Sequence, residues 1–332
     1  MPAEVETMTF VGEEPWHHLG VRLDNPATSA EAIIAAGLNW KVETVPILAF
    51  DELAQKEQAD PVLCLFNQAV MRTSDRSILG VVGNSYTPVQ NESAFEFFDS
   101  VVGSGQAIYH TAGSLKEGRR IWILAQLPGD LAVTEKDIIN RYLLLTNTHD
   151  GTSTLKMFFT PVRVVCMNTL TWALHRGQGQ GIDIRHTGSI DDKISVAKDA
   201  LGLGISYYDE LAKISQQMVK VRATDDMIDE LLSECFPGSY KPDAKDRAKK
   251  VITDIEDIAN NKNNTLVVGE EGTLWAYVNA VAEYTDHMRG TRATDYDADN
   301  NRLESIWFGY AKTVKQRAFD KGLQLMAVAT GK

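Results

Sequence analysis

Hydrophobic residues along this chain follow two different periods, and the change comes once, near residue 188. Before it, apolar and polar side chains alternate; after it, apolar positions recur at gaps of three and four. A period of two is the pleat of a strand, and a period near 3.6 is one face of a helix. Strands first and helices afterwards indicate an α+β protein, not an alternating parallel sheet. The expected organisation is a strand-rich α+β domain over residues 1–188, with a helical region over 189–332 packing on it.

Within the first part, Thr28 and Glu31 have capping-box spacing ahead of Ala32, Ile33 and Ala36, which with Gly37 read as a short helix. Residues 40–50 look extended, and a hairpin runs from Pro61 to Arg72 and back along Ile78 to Val82, with a polar turn at 73–77. Asn91 reads as the cap of a helix through Phe95 and Phe98 to Gly103. A β-β-β-α unit follows. Its strands are Arg119–Leu127, broken by Pro128-Gly129-Asp130, then Arg141–His149, then Ser153–Val165, with Asp150-Gly151 as a tight turn. Met167–His175 reads as the helix, and Ile182–His186 as a short strand. In the second part, residues 189–221 predict an amphipathic helix of roughly 30 residues, about 45 Å long. Further helices are expected at 224–236, 242–261, 272–288 and 302–329, the last bent near Gly309 and Gly322.

Composition limits the function classes. Apolar residues make up 44% and charged residues 23% of the 332, the balance of a folded globular chain. No apolar run reaches the roughly 20 residues that span a bilayer, and the acidic first residues lack a leader's pattern, so no membrane partner and a cytoplasmic location are expected. Cys64, Cys166 and Cys235 are odd in number and far apart, against a disulfide framework. No zinc spacing of Cys and His occurs. Asp295, Asp297 and Asp299 start like a calcium loop, yet Asn300 stands at the glycine position and Ile306 at the last ligand. Gly177, Gly179 and Gly181 follow a helix rather than a strand, which suits a connector better than a dinucleotide loop. No metal, cofactor or catalytic residue is therefore assigned. His149, with Asp150 beside it, is the nearest thing to a base, and turn chemistry explains that aspartate better.

Several words of this sequence occur together in one known family. They are Pro15-Trp16-His17-His18-Leu19-Gly20, Val81 through Asn91, Thr111 through Leu115, Leu144 through Gly151, Pro161 through Leu170, and Asn279 through His287. In that order, over about residues 10 to 325, the chain resembles the phage/plasmid-like family, a domain of unknown function. It departs from the pattern at His18, where glycine is expected. The resemblance implies a gene carried by a bacteriophage or plasmid and a bacterial cytoplasm as its workplace; it implies no activity.

The formal net charge is −12, unevenly spread. Residues 1–104 carry 5 Lys/Arg against 15 Asp/Glu, residues 105–190 carry 9 against 6, and residues 191–332 carry 19 against 24. Only the middle would meet a polyanion without net repulsion. Lys116, Arg119, Arg120, Arg141, Lys156, Arg163, Arg176 and Arg185 all fall on or beside the β-β-β-α unit, with Trp122, Tyr142, Phe158 and Trp172. Cations that track phosphates and rings that stack bases are what single-strand binding requires. A core role for the rings, and solvated edge charges, would account for the same residues. Three functions stay open. One is a protein that binds or anneals single-stranded nucleic acid in recombination or replication, acting as a homo-oligomer. Another is an acidic interaction protein that binds a host protein. The third is a nucleotide- or nucleic-acid-processing enzyme using His149 and His186.

Overall fold

A computed structural model of the chain describes residues 7–11, 20–23, 27–50, 60–102, 108–160, 162–163, 168–169, 181–184, 207–261, 269–289, 305–307 and 309–331. The chain divides into two compact units that alternate along the sequence. The first comprises Met1–Gln126, Leu143–Phe158 and Gly181–Leu201, and the second Leu127–Tyr142, Phe159–Gln180 and Gly202–Lys332. The α+β class expected from the change of period is the class found.

The first unit is built on an antiparallel sheet. Its members are β1 (Thr7–Val11), β2 (Val21–Leu23), β6 (Ile108–Leu115), β9 (Leu155–Phe159) and β12 (Gly181–Ile184), with parts of β7 (Arg120–Ala132) and β8 (Ile138–Thr148). The order is β12-β9-β8-β7-β6-β1-β2, antiparallel where registers are defined except for the parallel β1–β2 pair. Residues 121–125 are buried on both faces, so the alternation in this run does not separate a wet face from a dry one. Gly113 shows why the Thr111–Leu115 word contains a glycine. A Cβ there would collide with the Thr7 carbonyl and the Trp122 ring.

Helix α1 (Ser29–Ala35) begins with the expected capping box: Thr28 N–H donates to Glu31 Oε2 at 2.9 Å, and Glu31 N–H to Thr28 Oγ1 at 3.3 Å. A separate three-stranded sheet, β3 (Val42–Ala49), β4 (Val62–Arg72) and β5 (Ile78–Gly83), contains the expected hairpin. Its inner end packs through Val42, Val70, Leu79 and Val82 against Trp40 and Tyr86.

The second unit holds the other ends of β7 and β8 with β10 (Val162–Arg163) and β11 (Asn168–Thr169), in the order β11-β10-β8-β7. It also holds α3 (207–218), α4 (Asp225–Cys235), α5 (Asp246–Asn260), α6 (Leu274–Glu283), a π-turn (Tyr284–Met288) and α7 (Tyr310–Thr330). Thr224 and Thr273 cap α4 and α6, each accepting the N–H three residues on.

Several expectations are corrected. Pro128-Gly129 does not end β7; Gly129 takes φ +83, and the strand continues to Ala132. The strand expected at 153–165 is interrupted after Phe159, and Asn168–Thr169 pairs with Val162–Arg163 as a strand where a helix was expected. Asn91 is not a cap: it is the first residue of α2 (Asn91–Val102), with its side chain turned into the interior. The long helix ends at residue 218, and its expected span 189–206 lies outside the described residues, as do residues 170–180 and the acidic loop at 290–300. Gly322 sits inside an unbroken α7.

Candidate functional site

The tightest group of predicted site residues is the turn joining β6 to β7. Its backbone is left-handed over three residues, Lys116 at φ 55, Glu117 at φ 57 and Gly118 at φ 86, and Arg119 N–H closes it on Lys116 C=O at 3.1 Å. Two successive non-glycine residues in this region cost on the order of 1 kcal/mol or more each, so the surroundings must hold them there. Part of that hold comes from His149, whose N–H donates to the Arg119 carbonyl at 2.7 Å.

His149 belongs to a buried polar seam that joins two of the family words. Its Nε2 lies 2.9 Å from Asn91 Oδ1, and its ring meets Trp40 edge-on at 5.2 Å. Asn91 Nδ2 donates to Leu38 C=O at 3.0 Å. The Tyr86 hydroxyl donates to Thr148 C=O at 3.2 Å, and burial together with the Asp150 charge pushes its pKa up to about 12. Gln90 replaces a strand neighbour for Val42, donating Nε2 to its carbonyl at 2.8 Å and accepting its N–H at 3.1 Å. His149 is wholly buried, and in this place it is a strut under the turn. On the far side of the turn word, the Asp150 carboxylate accepts from Thr152 N–H at 2.9 Å, the turn chemistry expected of it.

The seam thus presents Lys116, Arg119 and Arg120 within five residues. Lys116 and Arg120 are half-buried. The Arg119 side chain is 48% exposed, and Glu117 Oε2 is 3.9 Å from its guanidinium, a loose exposed pair of small energy.

The other predicted cations are elsewhere. Arg141, on β8 in the second unit, lies over the Tyr208 ring at 5.7 Å and 3.5 Å from Asp209 Oδ1. The Tyr208 hydroxyl in turn donates to Tyr142 C=O at 2.6 Å and accepts its N–H at 3.1 Å, fixing this edge of β8. Lys156 is half-buried on β9 of the first unit, directly across from Asp183. Arg163 stands on β10 opposite Ile139 and Asn168, with its side chain outside the described residues. Arg176, Arg185 and His186 lie outside them altogether. Of the rings, Trp122 and Tyr142 are core, Phe158 is half-buried, and Trp172 is outside the described residues.

Two features escaped the sequence reading. A cleft of about 420 Å³ opens between α1 and α2, floored by Ile33, Leu38, Trp40 and Phe95, with Lys41 and Glu92 at its rim. The outer end of the β3–β4 arm is apolar and exposed. Its run Val62-Leu63-Cys64-Leu65-Phe66 looks like a buried strand in sequence, because apolar content reports burial only on average. Among the described residues, no group of three or more His, Cys, Asp or Glu is placed to hold a metal ion. No helix there is long and apolar enough to cross a membrane.

A family model, described as a domain of unknown function (DUF932), matches residues 78–307. The match takes in β5, the basic turn, the His149 end of the seam and most of the helices. No curated protein and no solved structure matches the chain.

Proposed function

Because the chain belongs to the DUF932 family, which carries no assigned activity, we propose a function from geometry alone: it binds single-stranded nucleic acid through the phosphates, at the β6–β7 turn. The observation that carries this reading is the strained turn that gathers Lys116, Arg119 and Arg120 and holds Arg119 half in solvent. A polyanion needs such a local cluster to approach a chain of net charge −12. Trp122 and Tyr142 are core residues, so they supply no stacking surface. The contact is accordingly electrostatic and indifferent to base sequence. A role in phage- or plasmid-borne recombination or replication fits such binding.

The test is fluorescence anisotropy with a labelled oligonucleotide at two salt concentrations. Three neutralised phosphates on a single strand give a slope near −2 in log affinity against log salt, about a 20-fold loss between 50 and 200 mM. Arg119→Glu with Arg120→Glu should abolish most of the affinity at low salt. No measurable binding by the unsubstituted chain at 50 mM salt would remove the proposal.

A further inference from the structure

Two apolar surfaces of the first unit are open to solvent, and they differ in shape and in charge. On the β3–β4 arm the register slips. Pro46 is opposite Gln68 and Leu48 is opposite Leu63, so four β4 residues, Cys64 to Asn67, pass the single β3 residue Ile47. The cleft between α1 and α2 is concave instead, and charge edges it. Its floor is apolar: Leu38 and Phe95 are buried, and Ile33 and the Trp40 ring are half-buried. At about 420 Å³ it has the size of a small-molecule site, which joins a mostly apolar lining to a few placed polar groups.

The placed groups here are three charges. Glu92 and Glu96 stand one turn apart on α2, and Lys41 comes from the loop that leads into β3. All three are exposed, and among the described residues no side chain pairs with their charged ends. Elsewhere on the surface a lysine and a glutamate do close on each other, Lys321 on Glu230 at 2.6 Å. The cleft keeps Lys41 beyond such reach of Glu92 and Glu96. Gln90, also in the lining, spends both amide atoms on Val42, which fixes the backbone beside Lys41. The exposed Asn39 amide has no partner among the described residues either.

A ligand that meets all of these groups carries a cation, an anion and an apolar body. A simple cation would be repelled by Lys41, and a simple anion by two carboxylates. We propose that the cleft binds a free apolar α-amino acid. Its ammonium lies against Glu92 and Glu96, its carboxylate against Lys41 and Asn39, and its side chain on the Trp40 and Phe95 floor.

The experiment is a saturation-transfer NMR titration of the whole chain with leucine and with phenylalanine, up to about 20 mM. No nucleic acid is present, so failure leaves the proposed phosphate contact standing. The expected result is saturable binding with a dissociation constant of about 1 mM or below. Glycine keeps both charges and lacks the body; N-acetyl-leucine lacks the cation and leucinamide the anion. Each should bind at least about threefold more weakly than leucine. Leucine itself should weaken as much in Glu92→Gln with Glu96→Gln, and in Lys41→Met, exposed substitutions that the fold tolerates. No saturable signal from either amino acid at 20 mM overturns the proposal, and so does an affinity that those substitutions leave unchanged. Leucinamide or N-acetyl-leucine binding as tightly as leucine overturns it equally, because one charge alone then makes the contact.

Discussion

Burying a lysine completely requires that its ammonium meet a counter-charge where it lies, and Lys315 meets Asp286. Nζ donates to both carboxylate oxygens, at 2.9 and 3.1 Å, with neither side chain more than 1% exposed. Burial pulls the lysine pKa down, and the carboxylate opposes that shift. Such a pair costs much to break by halves and little to replace whole. Lys315→Met alone should lose about 3–5 kcal/mol, and Lys315→Met with Asp286→Leu should recover most of it; urea denaturation of the four chains checks this cycle. His110, half-buried on β6, makes a prediction about pH. Burial lowers its pKa below 6.5, so the unfolded chain takes up the proton first. Its contribution therefore falls as pH drops through about 6.5 and levels off below the folded value. Thermal melts from pH 8 to 5 should show that decline, shallower in His110→Asn. Asp75 acts in a separate window. The Arg72 hydrogen bond, with those from Ser77, holds its carboxyl well below the usual range. Its contribution is present above about pH 4 and lost as the pH falls further, so the two residues separate on one pH axis.

Among the elements, α7 is the most exacting. Gly322 occupies its interior, where glycine ordinarily costs about 1 kcal/mol against alanine. The packing explains it: a Cβ would come within 2.9 Å of Val278 Cγ2 on α6 and 3.2 Å of Met218 Cε on α3. Gly322→Ala should destabilise by roughly 1–3 kcal/mol despite the better helix propensity, read by chemical denaturation. Sequence reading placed a bend there, because propensity knows a glycine but not its neighbours. The same reason separates other successes from failures. The cap at Thr28, the Asp150-Gly151 turn and the β4–β5 hairpin depend on residues a few positions apart, and all were legible. Asn91 has every local quality of a cap, yet its amide partners, Leu38 and His149, are more than 50 residues away. The Asn168–Thr169 strand is likewise fixed by its ladder to Val162–Arg163, not by its own residue types.

For the molecule as a whole, two surfaces of opposite character stand on the first unit, a basic turn and an apolar arm. If they act independently, Phe66→Glu should leave oligonucleotide affinity within twofold. Arg119→Glu should lower it several-fold, with anisotropy run on the same two chains. The cations were legible as a charge excess in residues 105–190, but charge counts along a sequence carry no information about which strands become neighbours. Folding set Lys116, Arg119 and Arg120 on one turn and Arg141 against Tyr208 in the other unit. The arm was illegible for the opposite reason: an apolar run announces burial, and only the register slip shows that it faces water.

That slip has a consequence for how the chain behaves when crowded. An uncharged apolar strand with an open edge is the usual seed of endless stacking, each copy templating the next. Four residues of β4 crowded against one of β3 leave no flat ladder for a third strand to extend. The Asn84 amide occupies the Leu65 carbonyl as well, so the stretch of β4 that displays Leu65 and Phe66 to solvent offers an incoming strand a bent edge with one acceptor already taken.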